Sequence, residues 1–211
     1  MHGSPPTDGA SGVDIRRAAD RAVTRTDWLD SRHSFSFGGH YDPANTHHGV
    51  LLVHNDDVVA PGRGFDTHPH RDLEIVTWVL RGALAHQDSA GQVGVIGPGL
   101  AQRMSAGRGI LHAERNAAVA GGTAAGGTAA ADGTGEEVRF VQMWVAPDTR
   151  GLDPGYEQAE IDGRRLAAGL VPIVSGLAHH HATGAVRIAN RFAALHAARL
   201  RPGASVELPR A

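Results

Sequence analysis

The 211-residue chain contains neither cysteine nor lysine. Without cysteine there is no disulfide scaffold, thiolate zinc finger, cysteine nucleophile or iron–sulfur cluster, so any bound metal must rest on His, Asp or Glu. Without lysine there is no Schiff-base or catalytic amine; all 20 basic residues are Arg, a usage that fits a GC-rich coding bias. Charge of either sign is not in excess. Twenty basic against 22 acidic side chains leave a net charge of −2, which lacks the broad basic footprint that recruits nucleic acid or an anionic membrane. No stretch approaches the ~18 apolar residues of a membrane helix. Residues 1–13, rich in Pro, Gly and Ser, read as a disordered lead rather than a signal peptide, and a cytoplasmic location is expected.

What the chain has in surplus is histidine, 14 in all, the commonest metal ligand among side chains. It also has many short β-rich segments between Gly, Pro, Asn and Asp: Gly49–His54, Leu73–Leu80, Gly82–His86, Gly91–Ile96, Ala101–Ser105 and Val138–Ala146. This pattern predicts an all-β antiparallel sandwich or barrel. Asp14–Ala22 and Ile161–Leu170 are the candidate helices. Residues 116–135, almost entirely Ala, Gly and Thr, read as a flexible surface loop. Asp148–Tyr156 has the composition of a linker. Val186–Asn190, Ala193–Leu200 and Ser205–Leu208 read as strands of a second β unit, with a turn at Arg201–Ala204.

Two pairs carry the chemistry. His68 and His70 are one residue apart, and an extended segment, which Pro69 favours for its predecessor, projects both from one face. His112 and Glu114 repeat that spacing. Three neutral nitrogens and one carboxylate suit a divalent ion of the first transition row, with iron, manganese, copper, nickel and zinc all acceptable. Whether the two pairs meet is not set by spacing. His47, His48 and the run His179–His181 read as loop histidines, because consecutive strand residues alternate faces.

The segments DWLDSRHSFSFGGHYDP (27–43), THPHRDLEIVTWVLRGALAHQDSAG (67–91), VIGPG (95–99), QRMSAGRGILHAE (102–114) and QMWVAPDTRGLDPGYEQ (142–158) resemble the pirin family of the cupin superfamily, above all its bacterial members. His68, His70, Glu74 and Gly82 resemble the first cupin motif, with one residue more than usual between Glu74 and Gly82; Gly109, His112 and Asn116 resemble the end of the second. The resemblance implies a bicupin: a metal-binding N-terminal domain over residues 14–150, and from 151 to 211 a linker and a C-terminal barrel that here lacks several strands. It implies one divalent metal, usually Fe2+, on His68, His70, His112 and Glu114. Glu74 would be a nearby polar residue and His86 a packed histidine close to the site. The implied activity is that of a quercetin 2,3-dioxygenase, opening a flavonol with O2, with Glu114 as the base that takes the hydroxyl proton. The alternative implied by the family is an iron-dependent, redox-sensing regulator that acts through a protein partner.

Overall fold

A computed structural model describes residues 15–118 and 135–208; the lead and most of the Ala/Gly/Thr segment lie outside the described residues. The elements are β1 (Ala22–Arg25), β2 (Leu29–His33), β3 (Leu51–Val59), β4 (Gly64–His70), β5 (Glu74–Arg81), β6 (Leu84–Asp88), β7 (Val93–Ile96), β8 (Leu100–Ser105), β9 (Ile110–Asn116), β10 (Val138–Val145), β11 (Gly155–Glu160), α1 (Gly163–Ala168), β12 (Val171–Ser175), β13 (Val186–Arg187) and β14 (Ala194–Ala197). One sheet runs β1-β2-β3-β10-β5-β8-β11, a second β4-β9-β6-β7 and a third β13-β12-β14. The fold is all-β. Every pairing is antiparallel except β12 with β13.

Strand alternation gives the seven-stranded sheet two buried faces. On β10, Val138 and Phe140 turn inward and pack with Val59, Val79, Leu84 and Ile96, which ties this sheet to the four-stranded one. Further along, Met143 and Val145, of opposite parity, turn outward and join Val76, Ala101, Leu166, Ile173 and Val186 under the C-terminal unit. A strand buried on both faces loses its apolar/polar alternation and reads as a continuous apolar run, as VRFVQMWV does. The site lies between the first two sheets, on the inward positions not taken by this core.

Several elements depart from the sequence reading. Asp14–Ala22 is no helix: a 3-10 turn covers Ala18–Asp20, and Ala22 is taken into β1 by pairing with His33. β2 was not expected, because its inward residues include Ser31 and His33 and the apolar signal is lost. β3 runs past His54 through Asn55-Asp56-Asp57 for the same reason. Gly155–Glu160 begins within the Pro/Gly-rich segment yet forms the edge strand beside β8. β12 carries Pro172 in a central strand; a register shift between Pro172 and Val174 accommodates it. Ser205–Leu208 forms no strand, although Arg201–Ala204 does turn, with the Ala204 amide donating to the Arg201 carbonyl. No helix among the described residues is long and apolar enough to cross a membrane.

Phe140 is fully buried where the two sheets meet. Phe140→Ala is expected to lower unfolding free energy by about 3–5 kcal/mol, read by chemical denaturation; a loss below about 1 kcal/mol would contradict this inter-sheet packing.

Candidate metal centre

β9 runs between β4 and β6, and its register sets the site. His112 stands opposite His68 on one side and Asp88 on the other; Glu114 stands opposite Phe65 and His86. Phe65 and His68 are three residues apart, and a regular strand would send them to opposite faces. A bulge between them restores the common face: three steps on β4 match two on β9. The same bulge frees the Asp66 carbonyl, to which His68 Nδ1 donates at 2.7 Å, leaving Nε2 with its lone pair. Gly64 opens β4 where a Cβ would collide with the Glu114 carbonyl, so close approach of the two backbones requires glycine.

The result is a cluster of rings. Centroids of His68 and His112 are 4.4 Å apart, of His68 and His70 4.8 Å, and of His70 and His112 4.9 Å. One nitrogen from each of these three lies within 4.8 Å of the others, and the same limit holds for His86, His112 and Glu114. His112 and Glu114 are each 2% exposed. Glu114 is gripped by Gln142, whose Nε2 donates to both carboxylate oxygens at 3.0 and 2.8 Å, while Trp144 Nε1 donates to Gln142 Oε1 at 3.0 Å. On the far side, His86 Nε2 lies 3.2 Å from Asp88 Oδ2, and Asp88 Oδ1 accepts from the amides of Ala90 and Gln92.

Burial shapes the charge states. It drives His70 down to about 4, with His68 adding repulsion, and His112 down to about 2 with help from His68, His70 and His86. It lifts Glu114 to about 7 despite Gln142, and Asp57 on β3 to about 7 despite a donor from Ser31. Neutral imidazoles beside a buried carboxyl are the donor set that a divalent ion takes. His70 Nε2 and both ring nitrogens of His112 are buried with no hydrogen-bond partner. Buried polar atoms are rarely left so, and an ion that takes the lone pairs of His70 Nε2 and of one His112 nitrogen satisfies two of the three. The residues fit a metal.

Other sequence candidates fall elsewhere. Glu74 is buried, but on the opposite face of β5: it accepts from Ser105 Oγ at 2.9 Å, beside Arg103. His179 and His180 lie in a 3-10 turn of the C-terminal unit, and His47 is exposed beside Thr46; none belongs to a metal-holding group among the described residues. What sequence reading missed is the wall around the cluster. A cavity of about 490 Å³ opens onto His68 and Glu114, lined by Trp28, Phe37, Phe65 and Trp144 on one part and by Thr24, Ser31, His33, Asn55 and Asp57 on another. The signal for that wall was polar residues alternating between Val53 and Val59.

An all-β sandwich with imidazoles and a carboxylate turned into its interior is the arrangement of a cupin-type protein with donors that fit a metal. A family model described as pirin matches residues 16–145, and the chain belongs to the pirin family. A Mycobacterium tuberculosis protein that carries the provisional name quercetin 2,3-dioxygenase is 62% identical over 197 residues, covering 93% of this chain and 74% of that protein. The Escherichia coli K12 protein named quercetin 2,3-dioxygenase is 40% identical over 148 residues, 70% of this chain and 58% of that protein. The crystal structure of the bacterial pirin YhhW from Escherichia coli in complex with nickel(II) superposes with a TM-score of 0.68 at 36% identity, over 82% of this chain and 66% of that one. The chain thus spans under two thirds of the length of both Escherichia coli relatives.

Because Glu114 is held protonated up to about 7 while His70 and His112 are already neutral, ion binding below that pH must displace the carboxyl proton. Affinity for nickel(II) is expected to rise about tenfold per pH unit up to about pH 7 and to level off above it. Competition titration against a chromophoric chelator checks this, and an affinity flat across that range would contradict it.

Proposed function

We propose that the chain is the metal-bearing part of a quercetin 2,3-dioxygenase-type enzyme, which opens a flavonol with O2, and that His68, His70, His112 and Glu114 hold one divalent ion. The observation that carries this reading is the cavity: its aromatic walls lead directly to His68 and Glu114, and about 490 Å³ is within the range of small-molecule sites. Iron(II) is the proposed working ion; the same donors accept manganese, copper, nickel or zinc.

The flat aromatic substrate is held between ring faces. Trp28 and Phe65 meet edge to face at 5.3 Å between centroids, and Phe37 and Trp144 at 5.5 Å, so the walls are braced before anything enters. The bound metal would supply Lewis acidity that favours the ionised form of the flavonol 3-hydroxyl. Glu114 takes that proton: the substrate O–H breaks, a new O–H forms on a Glu114 oxygen, and the electron pair stays on the substrate. Of the four donors the carboxylate is the one that can loosen from the ion and act as base, because an imidazole ligand cannot readily do both. Gln142 keeps the carboxyl aimed, and Trp144 fixes Gln142 in the orientation that donates. His70 and His112 stay neutral, and His68 is held in place by its bond to the Asp66 carbonyl. The aromatic walls exclude water from the ionised substrate.

Protein reconstituted with Fe(II) is expected to consume O2 in step with quercetin loss, and the His68→Ala/His112→Ala variant to show neither. Glu114→Gln should retain the ion but lose about 10²–10⁴-fold in turnover. An oxygen electrode with parallel absorbance decides it: no uptake by protein holding one ion per chain overturns the assignment.

A further inference from the structure

Asp56 and Asp57 are neighbours in sequence with opposite circumstances. Asp56 points outward from β3 and is bound by Arg139, whose Nε and Nη2 donate at 2.9 and 2.6 Å. Asp57 points inward, is 4% exposed and has no cation paired with it among the described residues. Ser31 Oγ donates to Asp57 Oδ1, the one hydrogen bond this carboxylate receives there. The same strand face is apolar at its ends, Val53 and Val59, while Asn55 and Asp57 between them are buried and polar. A buried carboxylate with a single neutral donor lowers stability, so packing does not explain it.

Asp57 lines the cavity that opens on Glu114, across from the aromatic wall. It cannot swing away, because its donor belongs to a fixed ladder. His33 Nδ1 lies 3.0 Å from Asn55 Oδ1 and 3.4 Å from Ser31 Oγ, and His33 Nε2 lies 2.8 Å from Thr24 Oγ1. With His33 Nδ1 donating to Asn55, the Ser31 proton is committed to Asp57 Oδ1, and Oδ2 is left without a donor. Glu114, by contrast, has both oxygens engaged by Gln142. The cavity therefore holds two carboxylates, one spent on the metal cluster and one with an oxygen still to be satisfied.

We propose that Asp57 is the specificity-determining residue of this cavity: its Oδ2 accepts a hydrogen bond from a ring hydroxyl of the substrate other than the hydroxyl at the metal. This rests on the flavonol reading above and deepens it, since it sets the site for polyhydroxylated aromatics rather than for flat aromatic molecules in general. No bond is made or broken at Asp57. The hydroxyl that donates to it replaces the water it would lose on entering the cavity, and a substrate without that hydroxyl leaves the carboxylate buried and unpaired.

The test uses the full chain loaded with zinc(II), which has no redox chemistry, so that binding is read without turnover. Quenching of Trp28 and Trp144 fluorescence reports occupancy by two probes: quercetin, which carries several ring hydroxyls, and 3-hydroxyflavone, which carries only the one proposed to sit at the metal. Wild type should prefer quercetin. At pH 8, where Asp57 is ionised, Asp57→Asn and Asp57→Ala should each weaken quercetin by roughly 10- to 100-fold, the range of a hydrogen bond to a charged group, and leave 3-hydroxyflavone bound as well as before or more tightly, because the unpaired carboxylate is gone. Asp57→Asn should also be at least as stable as wild type to denaturant, which a structural role would not allow. An unchanged probe ratio in both variants, equal weakening of both probes, or destabilisation without loss of preference overturns the assignment while the flavonol site stands. If wild type binds neither probe, the flavonol reading falls, and the Asp57 role falls with it.

Discussion

The pairing of β9 between β4 and β6 is the constraint on which the site depends. Its register puts His112 opposite His68 and Glu114 opposite His86, and the bulge in β4 turns His68 to the face that Phe65 already occupies. A one-residue slip of β9 would send His112 and Glu114 to solvent and bring Leu111 and Ala113 inside. Apolar packing makes that slip costly, since Ile110 shares the inward face and is buried against Ile75, Met104 and Ala106. The core thus fixes the register, and the register aims the three imidazoles and the carboxyl at one another.

The interior so formed is electrostatically costly without an ion. Glu114 and Asp57, both lifted to about 7, contribute stability that is lost as pH rises from the ordinary carboxylate range through that value. His70 and His112, both depressed, contribute stability that is lost as pH falls from the ordinary histidine range toward about 4 and below. The empty sandwich is opposed from both sides, and a divalent ion bound as proposed would relieve most of this, because it would take the ionised carboxylate and the neutral His70 and His112 together. Asp57 lies across the cavity from that remedy, which is why a substrate donor is the partner that suits it.

Much of this was legible in the sequence, and the failures have a common cause. The one-residue spacing in His68/His70 and His112/Glu114 placed each pair on one strand face, and the structure brings these four side chains to one interior. Apolar strands such as β5 and β10 were found because their side chains report burial directly. β2 and the second half of β3 were missed because their inward residues, Ser31, His33, Asn55 and Asp57, face a cavity and not a core, so strand alternation reads as a polar turn. The family resemblance put Glu74 beside the cluster, but strand parity turns it to the other face, where it accepts from Ser105. Gln142 was visible only as a polar residue inside an apolar strand, and its grip on Glu114 depends on a cross-sheet contact that local pattern does not encode.

The most direct test of the central claim is X-ray absorption at the metal edge of nickel(II)-loaded protein, with metal content measured alongside. The account predicts one ion per chain and an outer-shell scattering pattern of three imidazoles, falling to two in His70→Ala, with a light oxygen donor that changes in Glu114→Gln. An ion whose scattering shows fewer than three imidazoles, or is unaltered by either substitution, would contradict it.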